Sequence, residues 1–250
     1  MTLKFWTNIV KQNWNIDVTL EKLVGEYDLN FLAKSNNNKY IVKVMRTECS
    51  AAFISAQCSI LDHLNNCDAP IPKIIKSTSA KDFITVKDET GANRIVWIIS
   101  AFDGDVYANN KAKPQNLVTE IGKNLAFIDL AMQNFDHEYL HQSDDELMKW
   151  NLSQASWIKS KYENLFDENR TQIVANIIGG FEQTKNILNN LPKQAIHNDL
   201  NDYNILINKH QGGKQSLSGI IDFGDMVFDA KILNLAICAA YLILDVDKPL

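Results

Sequence analysis

The sequence predicts an α+β fold with two lobes: an N-terminal antiparallel sheet lobe that carries one main helix, and a mainly helical C-terminal lobe. Short runs rich in β-branched and aromatic residues, separated by turn residues, fill the chain up to about residue 100. Apolar residues at helical spacing dominate from about residue 115 onward. A polar segment between residues 197 and 225 interrupts these helices. We therefore assign residues 1–100 to the N-terminal lobe and residues 101–250 to the C-terminal lobe.

The N-terminal lobe is predicted to start with an amphipathic helix in the first 20 residues, because apolar side chains recur there at helical spacing. The Asn-rich segment Ser35–Asn38 is a strong turn signal and predicts a hairpin. A helix over residues 50–64 is predicted to end before Pro70, since proline cannot continue it. The predicted strands cover residues 31–33, 40–44, 82–86 and 94–99.

The C-terminal lobe is predicted to be helical except around the polar segment. The predicted helices cover residues 117–133, 144–157, 170–188 and 232–244. Short apolar runs at residues 205–207 and 219–221 predict two strands inside the polar segment. The longest apolar stretch, Leu235–Leu244, is shorter than the roughly 18 residues that a membrane-spanning helix requires, so no membrane partner is predicted.

The composition indicates a globular protein. Of the 250 residues, 46% are hydrophobic and 22% are charged. A net charge of -5 without a basic stripe argues against nucleic acid as the main partner. The four cysteines form no metal-binding or redox pair, and the N-terminus has no signal-peptide pattern. Reduced thiols and a cytoplasmic protein are the simplest expectation.

Three polar residues carry the functional prediction: Asp199, Asn204 and Asp222. Phosphoryl transfer requires a carboxylate that accepts the proton of an attacking hydroxyl, and hard oxygen ligands that hold Mg²⁺ against nucleotide phosphates. Asp199 suits the first role, and Asn204 and Asp222 suit the second. The alternative is ordinary turn chemistry, in which Asn and Asp are common. We expect His197 to brace the loop rather than to act as an acid.

Lys43 lies in the apolar run Ile41–Val44, which predicts a strand. A lysine in such a place often extends to solvent. The turn Gly25–Phe31 upstream favours a phosphate-binding role instead, because backbone N–H groups of that turn would close over phosphates. Gly25, the one glycine of the turn, is therefore a candidate nucleotide-binding residue together with Lys43.

Together these motifs resemble the aminoglycoside phosphotransferase and choline kinase superfamily. Its catalytic loop reads roughly H-x-D-x-x-x-x-N and is followed by a D-[FW]-x turn; both occur here in order, at His197–Asn204 and Asp222–Gly224. The resemblance covers about residues 22–245. Further segments are similar to the hydroxylysine kinase-like phosphotransferases within that superfamily, namely Tyr27–Phe31, Phe135–His137 and Trp150–Leu152.

The resemblance implies a two-lobed protein-kinase-like fold with ATP or GTP in the cleft and Mg²⁺ as the metal. It implies that Asp199 is the catalytic base, that Asn204 and Asp222 are metal ligands, and that Lys43 contacts phosphate. The segment Ser100–Phe102 resembles the hinge beside the nucleotide base. Ser100 and Phe102 are therefore further expected nucleotide-binding residues.

The resemblance also implies a small-molecule acceptor with a hydroxyl group, in the class of amino alcohols or hydroxylated amino acids such as hydroxylysine, and cationic. Asp105, Asp129 and Asp136 are candidates for an acidic acceptor pocket. An aminoglycoside, choline, homoserine or sugar acceptor stays open, as does a nucleotide-binding module without catalysis. Relatives occur alone or fused to a pyridoxal-phosphate aminotransferase domain, so a fused or downstream domain of that kind is one expected partner.

The chain departs from the family pattern at three places. Gln57 stands where many members carry a glutamate that pairs with Lys43, and Glu48 is an alternative partner. Asn234 stands where an aspartate often braces the catalytic loop. The chain stops at Leu250, before the helices that usually wall the acceptor pocket, so we expect the C-terminal lobe to be truncated.

Overall fold

A five-stranded antiparallel sheet forms the N-terminal part of the protein, with strands in the order β1-β2-β3-β5-β4. The computed structural model describes residues 2–25, 27–111, 113–141, 150–161 and 167–244. The strands of the sheet are β1 (Thr19–Leu23), β2 (Leu29–Lys34), β3 (Lys39–Val44), β4 (Phe83–Lys87) and β5 (Asn93–Ser100). The register pairs Lys43 with Trp97, and Tyr40 with Ser100.

A helix packs on each face of this sheet. The first, α1 (Leu3–Trp14), begins at Thr2, whose hydroxyl accepts a hydrogen bond from a free N–H of the first turn. The second, α2 (Ala51–His63), begins at Ser50 in the same way. Because neighbouring residues of a strand face opposite sides, Val96 on β5 packs with α1, whereas Trp97 packs in the core that contains α2.

The C-terminal part combines three long helices with two small sheets. The helices are α3 (Gln115–Ala131), α4 (Glu168–Asn189) and α5 (Lys231–Leu242), and a 3₁₀ helix covers Leu152–Ser160. The strands are β6 (Asp105–Val106), β7 (Lys193–Ile196), β8 (Ile205–Lys209), β9 (Gln215–Ile220) and β10 (Val227–Ala230). One sheet has the order β6-β8-β9, and in the other β10 pairs with β7. The polar loops 197–204 and 221–226 thus connect one small sheet to the other.

Within the described ranges, no helix is both long enough and apolar enough to cross a bilayer.

The structure confirms most of the predicted elements and corrects three details. The predicted helix 144–157 lies partly outside the described residues, and from Leu152 it is 3₁₀ rather than α-helical. The turn predicted over Gly25–Phe31 is shorter, because β2 begins at Leu29. The strands β1, β6, β7 and β10 were not predicted. Of these, β7 and β10 have only four residues each and pair with each other across a long sequence separation. That pair holds the two ends of the polar segment together.

Candidate active site

Asp199 lies half-buried in the loop that leaves β7, and neutral amides hold its carboxylate. Asn201 Nδ2 donates to Asp199 Oδ1 at 2.8 Å, and Asn204 Nδ2 donates to Asp199 Oδ2 at 2.7 Å. Neutral donors orient a carboxylate without cancelling its charge. The two amides therefore pre-orient the Asp199 side chain.

Asn201 organises this loop and was not singled out from the sequence. Its Oδ1 accepts hydrogen bonds from the backbone N–H groups of Tyr203 (2.8 Å) and Asn204 (3.1 Å), while its Nδ2 binds Asp199. Asn side chains commonly bond to N–H groups two residues further on in turns. The only sequence signal was therefore generic: an Asn at the start of a four-residue polar turn.

Asn204 is buried and sits beside Asp222 because of the hairpin register. Ile205 pairs with Ile220, and the carbonyl of Asn204 accepts a hydrogen bond from the N–H of Ile221 at 3.0 Å. Asn204 therefore immediately precedes β8 at the end of the hairpin where Asp222 follows β9. Since Asn204 Nδ2 is committed to Asp199, its Oδ1 is the atom that remains as an acceptor or cation ligand.

Asp222 faces Lys43 across the cleft. Its backbone is in the left-handed region, with φ 63° and ψ 76°, where few residues other than glycine, Asn and Asp are comfortable. Its side chain is 53% exposed, and its Oδ1 lies 3.6 Å from Lys43 Nζ. The positive charge of Lys43 is the main cause that lowers the pKa of Asp222, so the carboxylate stays ionised at neutral pH. The Lys43 ammonium also lies 5.5 Å from the centre of the Trp97 ring.

Asn204 and Asp222 fit the donor set that Mg²⁺ requires. Both supply hard oxygen atoms, one neutral and one ionised, at the same end of the hairpin. Mg²⁺ in nucleotide sites is bound through one or two carboxylates, with waters and phosphates completing the octahedron. In the part of the chain that the structure describes, no group of three His, Cys, Asp or Glu side chains is arranged to hold an ion by itself.

His197 is fully buried and joins the two polar loops. Its Nε2–H donates to the carbonyl of Ile221 at 3.1 Å, and its Nδ1 accepts from the N–H of Asp199 at 3.3 Å. Its ring also packs on Phe223, with centroids 4.6 Å apart. Burial lowers the pKa of His197 to about 4, so the imidazole is neutral at physiological pH. These contacts match the bracing role expected from the sequence.

Gly25 lies in the connection between β1 and β2 and lines a cavity of about 970 Å³ together with Lys43 and Asp222. A Cβ at Gly25 would come within 2.6 Å of the carbonyl oxygen of Asp28, so the close path of this connection requires glycine. Backbone that passes this near Lys43 can present N–H groups to phosphate.

Ser100 and Phe102 lie apart from these residues, at the far end of the β3–β5 pair. Ser100 is three residues beyond Trp97, the partner of Lys43, which corresponds to roughly 10 Å along a strand. Its hydroxyl accepts from the N–H of Lys73 at 2.9 Å. The Phe102 ring packs on Gly219, where a Cβ would lie 2.6 Å from a ring carbon. The glycine that this contact requires was not singled out from the sequence.

The family departures have visible consequences. Gln57 is buried on α2 and lines the cavity, while the carboxylate beside Lys43 is that of Asp222. Glu48 accepts a hydrogen bond from the Thr47 hydroxyl. Asn234 is fully buried, and its Oδ1 accepts from the N–H of Asn198 at 3.3 Å.

The three carboxylates proposed for an acidic acceptor pocket have other partners. Asp105 pairs with Lys209 at 2.7 Å, and Asp136 binds His141 at 2.6 Å. Asp129 is buried between α3 and α5, where it accepts a hydrogen bond from Asn234. Among the residues that the structure describes, the carboxylates that line the cavity are instead those of Asp28, Glu48, Asp222 and Asp225.

Lys43 and Asp222 line the cavity, whereas Asn204 and Asp199 are joined to this site by the hairpin register and by their mutual hydrogen bond. The strand-rich part and the helical part together form a two-lobed kinase-like fold. It is similar to the structure of an amicoumacin kinase in complex with AMP-PNP, Ca²⁺ and Ami, with a TM-score of 0.65 and 16% identity. The match covers 92% of this chain and 66% of that one.

The chain belongs to the Phosphotransferase enzyme family (APH), whose profile matches residues 19–248. It is 29% identical to the hydroxylysine kinase of Xenopus laevis over 97% of this chain and 70% of that protein. It is 25% identical to the hydroxylysine kinase of Mus musculus over 85% of this chain. The match spans only 59% of the length of the mouse protein.

Proposed function

We propose that this protein is a Mg²⁺-dependent small-molecule kinase that transfers the γ-phosphoryl group of ATP or GTP to a hydroxyl of an amino alcohol or hydroxylated amino acid such as hydroxylysine. The observation that carries the proposal is the grouping of Asp199, Asn204, Asp222 and Lys43 around one end of the β8–β9 hairpin. Membership of the phosphotransferase family supports the reaction class.

In the proposed reaction, Asp199 binds the acceptor hydroxyl and takes its proton as the hydroxyl oxygen bonds to the γ-phosphorus. The bond between the γ-phosphorus and the bridging oxygen breaks, and the nucleoside diphosphate leaves with that electron pair. The amides of Asn201 and Asn204 fix the Asp199 carboxylate beforehand, which removes the cost of orienting it during the reaction.

Nucleotide binding is assigned to both sides of the cleft. Mg²⁺, held by Asn204 and Asp222, would neutralise phosphate charge. Lys43 would contact phosphate oxygens from β3, and the backbone at Gly25 would cover them. Ser100 would border the base, since it lies roughly 10 Å further along the same strand pair, and Phe102 would do so from the segment that directly follows β5.

The acceptor is proposed to be a cationic hydroxylated amino acid. Trp150 and Trp157 line the cavity beside Asp225, and aromatic faces with carboxylates attract ammonium groups. Arg46 and Lys161 line the same cavity and supply the positive charge that an amino-acid carboxylate requires. This mixture favours an amino acid over choline or a sugar, neither of which carries both charges.

An acceptor panel tests the proposal. Purified protein with Mg²⁺ and either ATP or GTP is offered 5-hydroxylysine, homoserine, a simple amino alcohol, choline, an aminoglycoside and a hexose, and phosphorylated products are identified by mass spectrometry. We expect 5-hydroxylysine or a close relative to give the highest kcat/KM. Preferential phosphorylation of another acceptor would overturn the acceptor class. Nucleotide binding with no phosphorylated product would replace the proposal by the non-catalytic module.

The metal ligands are tested separately by nucleotide titration with and without Mg²⁺. Asp222→Ala should abolish most of the Mg²⁺-dependent gain in nucleotide affinity, because it removes the ionised ligand. Asp136→Ala is the control, since that exposed carboxylate pairs with His141. An unchanged Mg²⁺ dependence in Asp222→Ala would contradict the assignment.

We further propose a cytoplasmic location, supported by four free cysteines, two of them buried. A fused or downstream aminotransferase domain stays a prediction. The length of the transcript and of the protein that is expressed in the native organism would test it.

A further inference from the structure

A buried polar chain connects α3 to the catalytic loop. Asp129 on α3 is 7% exposed, and Asn234 on α5 is 0% exposed. Asn234 Nδ2 donates to Asp129 Oδ1 at 2.7 Å, and Asn234 Oδ1 accepts from the backbone N–H of Asn198 at 3.3 Å. Asn198 directly precedes Asp199. One buried amide therefore joins a buried carboxylate to the backbone beside the proposed catalytic base.

The orientation of the Asn234 amide decides whether it can hold the loop. Asp129 Oδ1 accepts the hydrogen bond from Asn234 Nδ2, and this contact selects the orientation in which Asn234 Nδ2 points towards Asp129. Asn234 Oδ1 then faces the N–H of Asn198. In the opposite orientation the amide NH₂ would face that N–H, and two buried donors would lose their partners.

Asn198 links the support to the rest of the site. Its backbone has φ 62°, in the left-handed region that few residues other than glycine, Asn and Asp adopt. Its side-chain Nδ2 donates to the carbonyl of Asp225 at 3.0 Å and lies 3.4 Å from the carbonyl of Trp150. Asn198 thus connects the loop of Asp199 both to the loop of Asp222 and to a residue of the cavity wall.

We propose that Asp129 is a positioning residue: its carboxylate orients the Asn234 amide, which holds the backbone of Asn198 and, through it, the carboxylate of Asp199. The kinetic consequence rests on the proposed function, whereas the effect on the loop does not. Desolvation raises the pKa of Asp129, the hydrogen bond from Asn234 and the nearby Lys231 charge oppose this, and the Cys238 thiol is the other titratable group beside it.

Exchanging the carboxylate and the amide between positions 129 and 234 distinguishes an effect of amide orientation from an effect of burying a polar group. In Asp129→Asn, the new amide faces the Asn234 amide and either of them can flip, so the Asn198 N–H loses its fixed acceptor. In the double variant Asp129→Asn/Asn234→Asp, the new amide donates to the new carboxylate, whose second oxygen accepts from Asn198. In Asn234→Asp alone, two carboxyl groups about 2.7 Å apart must share a proton, which raises their pKa. Asn124→Ala is the matched control, because Asn124 is also buried on α3 but donates to the carbonyl of Glu120.

The first readout is amide hydrogen exchange at Asn198, which needs no substrate. We expect exchange to accelerate about tenfold in Asp129→Asn and to return to within about threefold of wild type in the double variant. In Asn234→Asp, protection should be present at low pH and be lost as pH rises through the raised pKa. Asn124→Ala should leave exchange at Asn198 unchanged. Unchanged exchange in Asp129→Asn, or a double variant no better than Asp129→Asn, would overturn the inference.

The second readout is phosphoryl transfer to whichever acceptor the wild type uses. We expect kcat to fall about tenfold in Asp129→Asn, with the nucleotide KM within about twofold, and to recover in the double variant. Equal loss of kcat in both variants would overturn the positioning role. If the wild type phosphorylates nothing while the exchange pattern holds, the proposed function fails and the positioning of the loop by Asp129 stands.

Discussion

Replacement of Asn201 by alanine should loosen the loop that carries Asp199. The side chain makes three hydrogen bonds: it accepts from the N–H groups of Tyr203 and Asn204 and donates to Asp199. Asn201→Ala removes all three and leaves the volume open to water. The effect should reach both the proposed base and the proposed metal ligand Asn204.

The size of the loss in stability depends on which of the three released groups can form another hydrogen bond. Each bond contributes about 1 kcal/mol. Tyr203 is 64% exposed, so its N–H can rehydrate, and the N–H of Asn204 keeps a second acceptor in the backbone carbonyl of Asn201 at 3.2 Å. We therefore expect the free energy of unfolding to fall by about 1–2 kcal/mol, or roughly 2–8 °C in Tm for a chain of this size. The freer Asp199 carboxylate should lower kcat by roughly 10- to 100-fold.

Thermal unfolding and steady-state kinetics at fixed pH measure both effects. Asp202→Asn is the matched control in the same loop, because Asp202 contributes its backbone carbonyl to Ala108 and the substitution keeps it. Asn201→Asp keeps the acceptor for both N–H groups but places a carboxylate beside Asp199. Its stability should rise as pH falls, since a like charge raises the pKa of the pair in the folded state. An Asn201→Ala variant with the stability and kcat of Asp202→Asn would refute the reasoning.

Gly219→Ala should destabilise the protein by about 1–3 kcal/mol, because its Cβ would lie 2.6 Å from the Phe102 ring. The control is Gly179→Ala on α4, where no atom lies within 4 Å of the added Cβ, and it should be neutral or slightly stabilising. Equal Tm values for the two variants would refute the contact between Gly219 and Phe102. His197 has a folded pKa of about 4 against about 6.5 when unfolded. The unfolded state therefore binds more protons between these values, and stability should fall by on the order of 3 kcal/mol as pH drops from about 6.5 to about 4. The slope of unfolding free energy against pH, measured by denaturant titration, should be smaller in His197→Gln over that range. A wild-type slope in His197→Gln would count against the buried neutral imidazole.

The residues proposed for chemistry could be predicted from the sequence, because their roles follow from their order and spacing along the chain. A carboxylate, an amide five positions on, and a carboxylate after a hairpin already predict Asp199, Asn204 and Asp222 as neighbours. The pairing register of β8 with β9 then sets how close Asn204 and Asp222 lie, which the sequence only implied.

The residues that support the proposed site could not be predicted from the sequence, for physical reasons. Asn234 and Asp129 are 105 positions apart, and only the packing of α5 against α3 brings them into contact. Asn201 acts through the orientation of its amide, which no residue pattern specifies. Gly219 is required by the ring of Phe102, a contact between the segment that follows β5 and strand β9 that depends on how the two parts of the fold meet.

The central claim is that Asp199 acts as the base for phosphoryl transfer in a nucleotide cleft. The most direct measurement compares wild type with Asp199→Asn for transfer of the γ-phosphoryl group from Mg²⁺-nucleotide to 5-hydroxylysine, with nucleotide affinity determined on the same samples by calorimetry. We predict that transfer falls by at least about 100-fold while the nucleotide Kd stays within about threefold. Transfer at the wild-type rate by Asp199→Asn would contradict the account.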